Sequence, residues 1–229
     1  MEYYNPSYTL INMSALSEEI CEDIINRLDV APFTDVEFNT DPDDPAKVMP
    51  SNEEDEDRLK YTDHHGRELY CIGFNNPDFE EIEDMLIPVL PKTEDFGQIT
   101  YMSIIAYPEG TQMPVHVDSA DSMDTGTVVF NLNAGFDGGD FTLDGHLLKP
   151  FTGQMIAFNN STERFHGVLP VLGGERVSLC LWFTRPADPN IELPDYPDEV
   201  LRAEMPGAVN DNEYEMEPKK VHKSFVIKT

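Results

Sequence analysis

The run ITYMSIIAY at residues 99–107 decides how this chain folds. It has the length of one strand, is rich in β-branched and aromatic side chains, and is closed by the turn residues Pro108, Glu109 and Gly110. Runs of the same kind follow: TVVFNLN at 127–133, GDFTLDG at 139–145, QMIAFNN at 154–160 and VSLCLWFT at 177–184. Asp137-Gly138-Gly139, Asp144-Gly145, Gly153 and Gly173-Gly174 supply the turns between them. Short strands at regular spacing predict a sandwich or barrel over residues 99–185 rather than a βαβ fold. No GxGxxG follows any strand, which argues against a dinucleotide site.

Residues 1–98 read as a helical support region with an acidic loop. Leu16, Ile20, Ile24 and Leu28 recur every four positions, the stripe of an amphipathic helix that Ser14 or Ser17 would cap. A second helix is expected from Asp78. Asp78 and Glu81 have capping-box spacing, Ile82, Met85, Leu86 and Val89 form the apolar face, and Pro91 marks the stop. Between the helices, Asp41, Asp43, Asp44 and the run 53–57 form an acidic tract, read as a solvated loop or as a lid beside a site. Residues 186–229 form a Pro-rich tail with a short helix expected around 198–204. All three stretches are read as one structural domain.

The charge balance narrows function. The 229 residues carry 44 acids and 15 bases, a formal net charge of −29. A surface of that sign repels nucleic-acid phosphate and anionic lipid, and favours a bound metal cation or a basic peptide. No apolar run is long enough to span a bilayer, and the opening MEYYNPSYTLINM lacks the features of a signal peptide. The three cysteines, Cys21, Cys71 and Cys180, are far apart and form no CxxC. A cytoplasmic, reducing environment is therefore expected.

The chemistry starts at Val115-His116-Val117-Asp118. Alternation along a strand points His116 and Asp118 the same way, as two ligands of one metal. His166, 48 positions after Asp118, is the candidate third ligand, brought back by a later strand. Two histidines and one carboxylate make a facial triad that leaves three positions open on an octahedral iron(II). Arg176 follows ten positions after His166 and opens an apolar strand. A cation there is costly unless it grips an anion, and a guanidinium suits a carboxylate held by two parallel bonds.

With these residues the core resembles the iron(II)/2-oxoglutarate-dependent dioxygenase superfamily, in its prolyl 4-hydroxylase-like branch. Flanking segments strengthen the likeness: Tyr107-Pro108-Glu109-Gly110, Phe130-Asn131-Leu132-Asn133, Phe136-Asp137-Gly138-Gly139-Asp140-Phe141, and His166-Gly167-Val168-Leu169-Pro170-Val171 followed by Gly174-Glu175-Arg176. Trp182 stands at the position of the family's usual tryptophan. The resemblance implies a double-stranded β-helix (jelly roll) core, mainly β, with flanking helices. It implies iron(II) on His116, Asp118 and His166, and 2-oxoglutarate on Arg176 with Tyr107 and Asn131. Asn131 stands where related hydroxylases often have a tyrosine. Ascorbate is an expected auxiliary reductant. The implied reaction decarboxylates 2-oxoglutarate to succinate and CO2 while hydroxylating a C–H bond, with a prolyl residue of a peptide or protein as the first substrate choice.

Other readings compete. Another peptidyl side chain or a small molecule is the alternative substrate, and a non-catalytic metal-binding interaction module is the alternative of another class. Asp63-His64-His65 reads as a surface loop. Trp182 reads as packing at the pocket floor, Thr127 and Val129 as pocket lining, and Cys180 as buried and inert.

Overall fold

The computed structural model describes residues 9–30, 33–35, 58–63, 65–72, 76–91, 97–118, 124–160, 164–184 and 226–228. The acidic tract, His64 and the helix expected at 198–204 lie outside the described residues. In chain order the strands are β1 (Thr9–Asn12), β2 (Thr34–Asp35), β3 (Arg58–Thr62), β4 (Glu68–Ile72), β5 (Gln98–Tyr107), β6 (Met113–His116), β7 (Asp124–Asn131) and β8 (Asp137–Gly138). Then come β9 (Phe141–Leu143), β10 (His146–Leu148), β11 (Met155–Asn159), β12 (His166–Val168), β13 (Val171–Gly173), β14 (Arg176–Thr184) and β15 (Val226–Lys228). The helices are α1 (Glu18–Val30) and α2 (Pro77–Leu86).

The major sheet runs β15-β1-β11-β7-β14-β5-β4-β3-β2, and the minor sheet β10-β9-β12-β6. This is a jelly roll with helices on one outer face. Period-two alternation sorts each central strand between two cores. Ile104, Val128, Phe130, Ala157, Leu179 and Leu181 pack with Ile24, Ile82 and Leu86 of the helices. Ile105, Val129, Ile156, Phe158 and Cys180 pack with Phe141, Leu143 and Val168 of the minor sheet. Because both faces are covered, these strands read as near-continuous apolar runs, as buried strands do.

Both expected helices are present. Ser17 Oγ accepts the Ile20 N–H at 3.3 Å and so caps α1. In α2 the cap is Asn76, two residues earlier than the capping-box spacing suggests. Its side chain accepts the Asp78 N–H at 2.9 Å, and Pro77 occupies the first turn. Asp78 and Glu81 instead face α1, where Arg27 reaches them at 3.1 and 2.6 Å. Such pairs contribute only about 0.2–1 kcal/mol each, so the apolar faces dominate the docking of the helices.

The N-terminal stretch also contributes strands. β1 pairs with β11, and β3 and β4 extend the major sheet beyond β5. Among the described residues, no helix is long and apolar enough to cross a membrane.

Under the minor sheet lies Arg164, 1% exposed. It pairs with Asp144 at 2.7 Å and donates to Thr9 Oγ1 at 2.5 Å, tying the turn after β9 to β1. Asp144 adopts φ +52°, a conformation that asparagine also tolerates. Asp144→Asn therefore removes the charge with little backbone penalty and takes a counter-charge from beside a buried cation. The expected cost is about 3–5 kcal/mol, read as a lowered denaturant midpoint with an unchanged slope.

Candidate active site

The pairing of β6 with β12 builds the centre. Antiparallel register sets His116 opposite His166, and their rings lie 4.3 Å apart. Gly167 permits this approach, since a Cβ there would stand 2.7 Å from the Met113 carbonyl. Asp118 follows just past the end of β6. Its Oδ1 lies 3.4 Å from His116 Nε2 and 3.2 Å from His166 Nε2. Ligand atoms of all three side chains fall within 4.8 Å of one another.

The outer ring nitrogens are spoken for. His116 Nδ1 sits 2.9 Å from the Pro114 carbonyl, and His166 Nδ1 3.2 Å from the Arg164 carbonyl. A carbonyl only accepts, so Nδ1 carries the proton in each ring and the Nε2 lone pairs turn inward. Two inward nitrogens and one carboxylate oxygen fit a divalent iron.

Electrostatics agree with that fit. Burial by itself would raise the Asp118 carboxyl, but the charge of His166 and hydrogen bonds from both histidines hold it well below the usual carboxylate range. Burial and the neighbouring His166 lower His116 below an ordinary histidine. Burial opposes protonation of His166 too, yet Asp118 outweighs it and raises His166. The Asp118 carboxylate thus stays ionised and ready to take a cation.

Arg176 enters the same pocket from β14, in register with Tyr107 of β5. It is 1% exposed. Its Nη2 donates to Asn131 Oδ1 at 2.8 Å, while Nε and Nη1 are buried with no hydrogen-bond partner. Unmatched buried N–H groups on a cation are what a bound carboxylate would satisfy. The guanidinium lies 4.9 Å over the Tyr107 ring. Asn133 holds the start of β14, accepting the Val177 N–H at 2.7 Å and donating to the Glu175 carbonyl at 2.8 Å.

Asn131 takes a different position from the one expected of a co-substrate ligand. Its oxygen faces Arg176 and its Nδ2 donates to Gln154 Oε1 at 2.7 Å, so both ends of the amide are engaged by neighbouring side chains. It acts on Arg176 and does not line the cavity. Arg67 stands beside Tyr107, with Nη1 donating to the Tyr107 hydroxyl at 3.3 Å. Asp63 holds Arg67 at 2.5 and 2.7 Å and accepts the backbone N–H groups of His65 and Arg67. Asp63 is thus a buried anchor rather than a surface-loop residue. Because the Tyr107 oxygen accepts from Arg67, its own proton is free to be donated into the pocket.

The pocket is open at its mouth and spans about 400 Å³ of empty space, the solvent at that mouth included. Thr127 and Val129 line it as alternation along β7 predicts. Ser178 also lines it, two positions from Arg176 on the same strand face, with a buried Oγ that has no hydrogen-bond partner. Alternation along β14 could have singled out Ser178, whereas no local pattern marks Arg67. Cys180 is buried, and desolvation pushes its thiol up to about 11, so it is protonated and inert at neutral pH. Trp182 does more than pack: its indole N–H donates to Asp118 Oδ2 at 3.1 Å.

Residues 102–184 match the family model of the 2OG-Fe(II) oxygenase superfamily. Curated relatives include human prolyl 3-hydroxylase 1, 37% identical over 65 residues, or 25% of this chain and 9% of that protein. Prolyl 3-hydroxylase 2 of Gallus gallus is 38% identical over 60 residues, or 23% of this chain and 9% of that protein. The chain thus covers about a tenth of the length of the curated relatives it matches. Among solved structures, the viral collagen prolyl hydroxylase of Paramecium Bursaria Chlorella virus-1 aligns with a TM-score of 0.51 at 16% identity, over 78% of this chain and 97% of that one. A prolyl hydroxylase of Trichoplax adhaerens, in complex with a hypoxia inducible factor peptide fragment, aligns with a TM-score of 0.53 at 17% identity, over 79% and 84%. These likenesses show the shared fold. The family match falls on the strands that carry the three-ligand cluster. The matched family model implies iron(II) as cofactor and 2-oxoglutarate as co-substrate, and His116, Asp118 and His166 could hold the metal.

Proposed function

We propose that residues 99–185 form the catalytic core of a peptidyl-proline hydroxylase. In this reading His116, Asp118 and His166 hold the iron, and Arg176 holds the distal carboxylate of 2-oxoglutarate, assisted by the Tyr107 hydroxyl and Ser178 Oγ. The observation that carries it is the buried Arg176, which keeps two N–H groups unpartnered in the pocket that also contains the three metal ligands. When bound, the iron and keto acid supply oxidative decarboxylation coupled to insertion of oxygen into a C–H bond.

The chain's own residues bind and orient. The Pro114 and Arg164 carbonyls fix both imidazoles with Nε2 inward. Asn131 aims the guanidinium, and Arg67 presents the Tyr107 proton. Met113, Val129, Phe141 and Trp182 supply an apolar wall that limits water. The prolyl substrate is supported by the prolyl hydroxylase relatives and by the peptide bound to the Trichoplax adhaerens protein. A net charge of −29 favours a basic peptide.

The test takes the full chain under anaerobic conditions with iron(II) and 2-oxoglutarate. A visible charge-transfer band is expected. Air, keto acid and a Lys/Arg-flanked proline peptide should then yield succinate and a peptide heavier by one oxygen, with peptide affinity falling as salt rises. Turnover that persists when the proline is replaced would shift the assignment to another peptidyl side chain. A band with no peptide hydroxylation would favour a small-molecule substrate.

A further inference from the structure

We infer that Trp182 and Thr127 are positioning residues for the metal centre: together they bind the outer oxygen of Asp118, so that Asp118 offers a metal one oxygen and not two. The inference rests on the reading of His116, Asp118 and His166 as metal ligands. Trp182 Nε1 donates to Asp118 Oδ2 at 3.1 Å, and Thr127 Oγ1 lies 2.5 Å from the same oxygen. The other oxygen, Oδ1, is the one that faces both histidines. The two oxygens of one carboxylate are thereby given separate tasks.

The geometry is built into the sheets. Trp182 and Thr127 are register partners on β14 and β7, and both face the pocket. The ligand histidines sit on the minor sheet. The two donors therefore reach Asp118 from the major sheet across the gap between layers. An indole N–H can only donate, so Trp182 has no role here except toward an acceptor.

Thr127 has one hydroxyl proton and two oxygens near it, Asp118 Oδ2 at 2.5 Å and Asn160 Oδ1 at 3.0 Å. The shorter, charge-assisted contact takes the proton. Turning the Asn160 amide about resolves the remainder. Its Nδ2, which otherwise is buried with no partner, then donates to Thr127 Oγ1. The hydroxyl is left pointing at Asp118, and each contact in the chain Asn160 to Thr127 to Asp118 then joins one donor to one acceptor.

A carboxylate with a free second oxygen can swing to chelate a metal through both, filling a position that the keto acid needs. Two hydrogen bonds on Oδ2 oppose that swing. Outer partners of this kind change metal affinity as well as ligand orientation.

The test is Co(II) binding to the full chain, read by its visible d–d bands and by competition with a chromophoric chelator, without turnover. The panel is wild type, Trp182→Phe, Thr127→Val, Thr127→Ser and His166→Ala. Trp182→Phe and Thr127→Val should each weaken Co(II) roughly 10- to 100-fold and shift the d–d bands, as the coordination number rises. Thr127→Ser, which keeps the hydroxyl, should bind like wild type. If the Phe and Val variants bind as wild type does, with unchanged bands, while His166→Ala fails, the positioning inference is wrong and the metal site stands. If wild type itself binds no Co(II), the metal reading falls and takes this inference with it. Either donor alone is decisive, so a Trp182→Phe chain that does not fold leaves Thr127→Val to answer.

Discussion

His166→Ala abolishes the charge-transfer band of the iron(II)–2-oxoglutarate chelate. The argument is geometric. His166 is 5% exposed, and its Nε2 faces the same Asp118 oxygen as His116. Without it the centre keeps one nitrogen and one oxygen, too few to hold a divalent iron against water. The loss of metal affinity should exceed the roughly 10- to 100-fold that a missing outer partner costs. It is read by Co(II) titration beside the anaerobic band. A wild-type band retained in the variant would show that the metal sits elsewhere. The variant should also lose keto-acid chelation without any change at Arg176, so added 2-oxoglutarate cannot restore the signal.

Arg176→Gln has the second large effect, and its signature differs. The side chain stays polar but loses its charge and its fork. Truncating one partner of a buried, hydrogen-bonded charge pair costs about 2–5 kcal/mol, which is roughly 30-fold to several thousand-fold in 2-oxoglutarate affinity. Co(II) affinity should hold, because the Arg176 guanidinium is held by Asn131 and the Tyr107 ring and not by the three candidate metal ligands. Apo stability should rise, since the substitution removes a buried cation whose Nε and Nη1 have no hydrogen-bond partner. Keto-acid titration, metal titration and a thermal melt of the apo chain separate these three effects. Equal keto-acid affinity in wild type and variant would remove Arg176 from the binding site.

Much of this was legible in residue order because the information is local. The near-continuous apolar runs 99–107 and 177–184 report strands covered on both faces, and β5 and β14 lie where they place them. The stripe of Leu16, Ile20, Ile24 and Leu28 reports α1 in the same way. β3 and β4 were harder. RLKYT and ELYCI run over only five residues each and carry charged residues, so neither stands out beside the acidic tract. The cap of α2 lies two residues before the expected one, because Asn76 and Pro77 form the local start while Asp78 is engaged across space by Arg27.

By itself the sequence determined the set of elements and the chemical types at the centre: two histidines, one carboxylate and one arginine, at spacings that strands can bring together. Side-chain periodicity and turn chemistry act between near neighbours, so they survive in a linear reading. Tertiary structure alone decided which atoms meet. It turned Asn131 toward Arg176 and Gln154 and away from the pocket, set Arg67 on Tyr107 through a buried Asp63, and brought Trp182 and Thr127 to one oxygen of Asp118. Those contacts depend on strand register and on the gap between two sheets. Both are settled by packing between segments far apart in the chain, where a shift of one residue would turn every side chain of a strand to the opposite face.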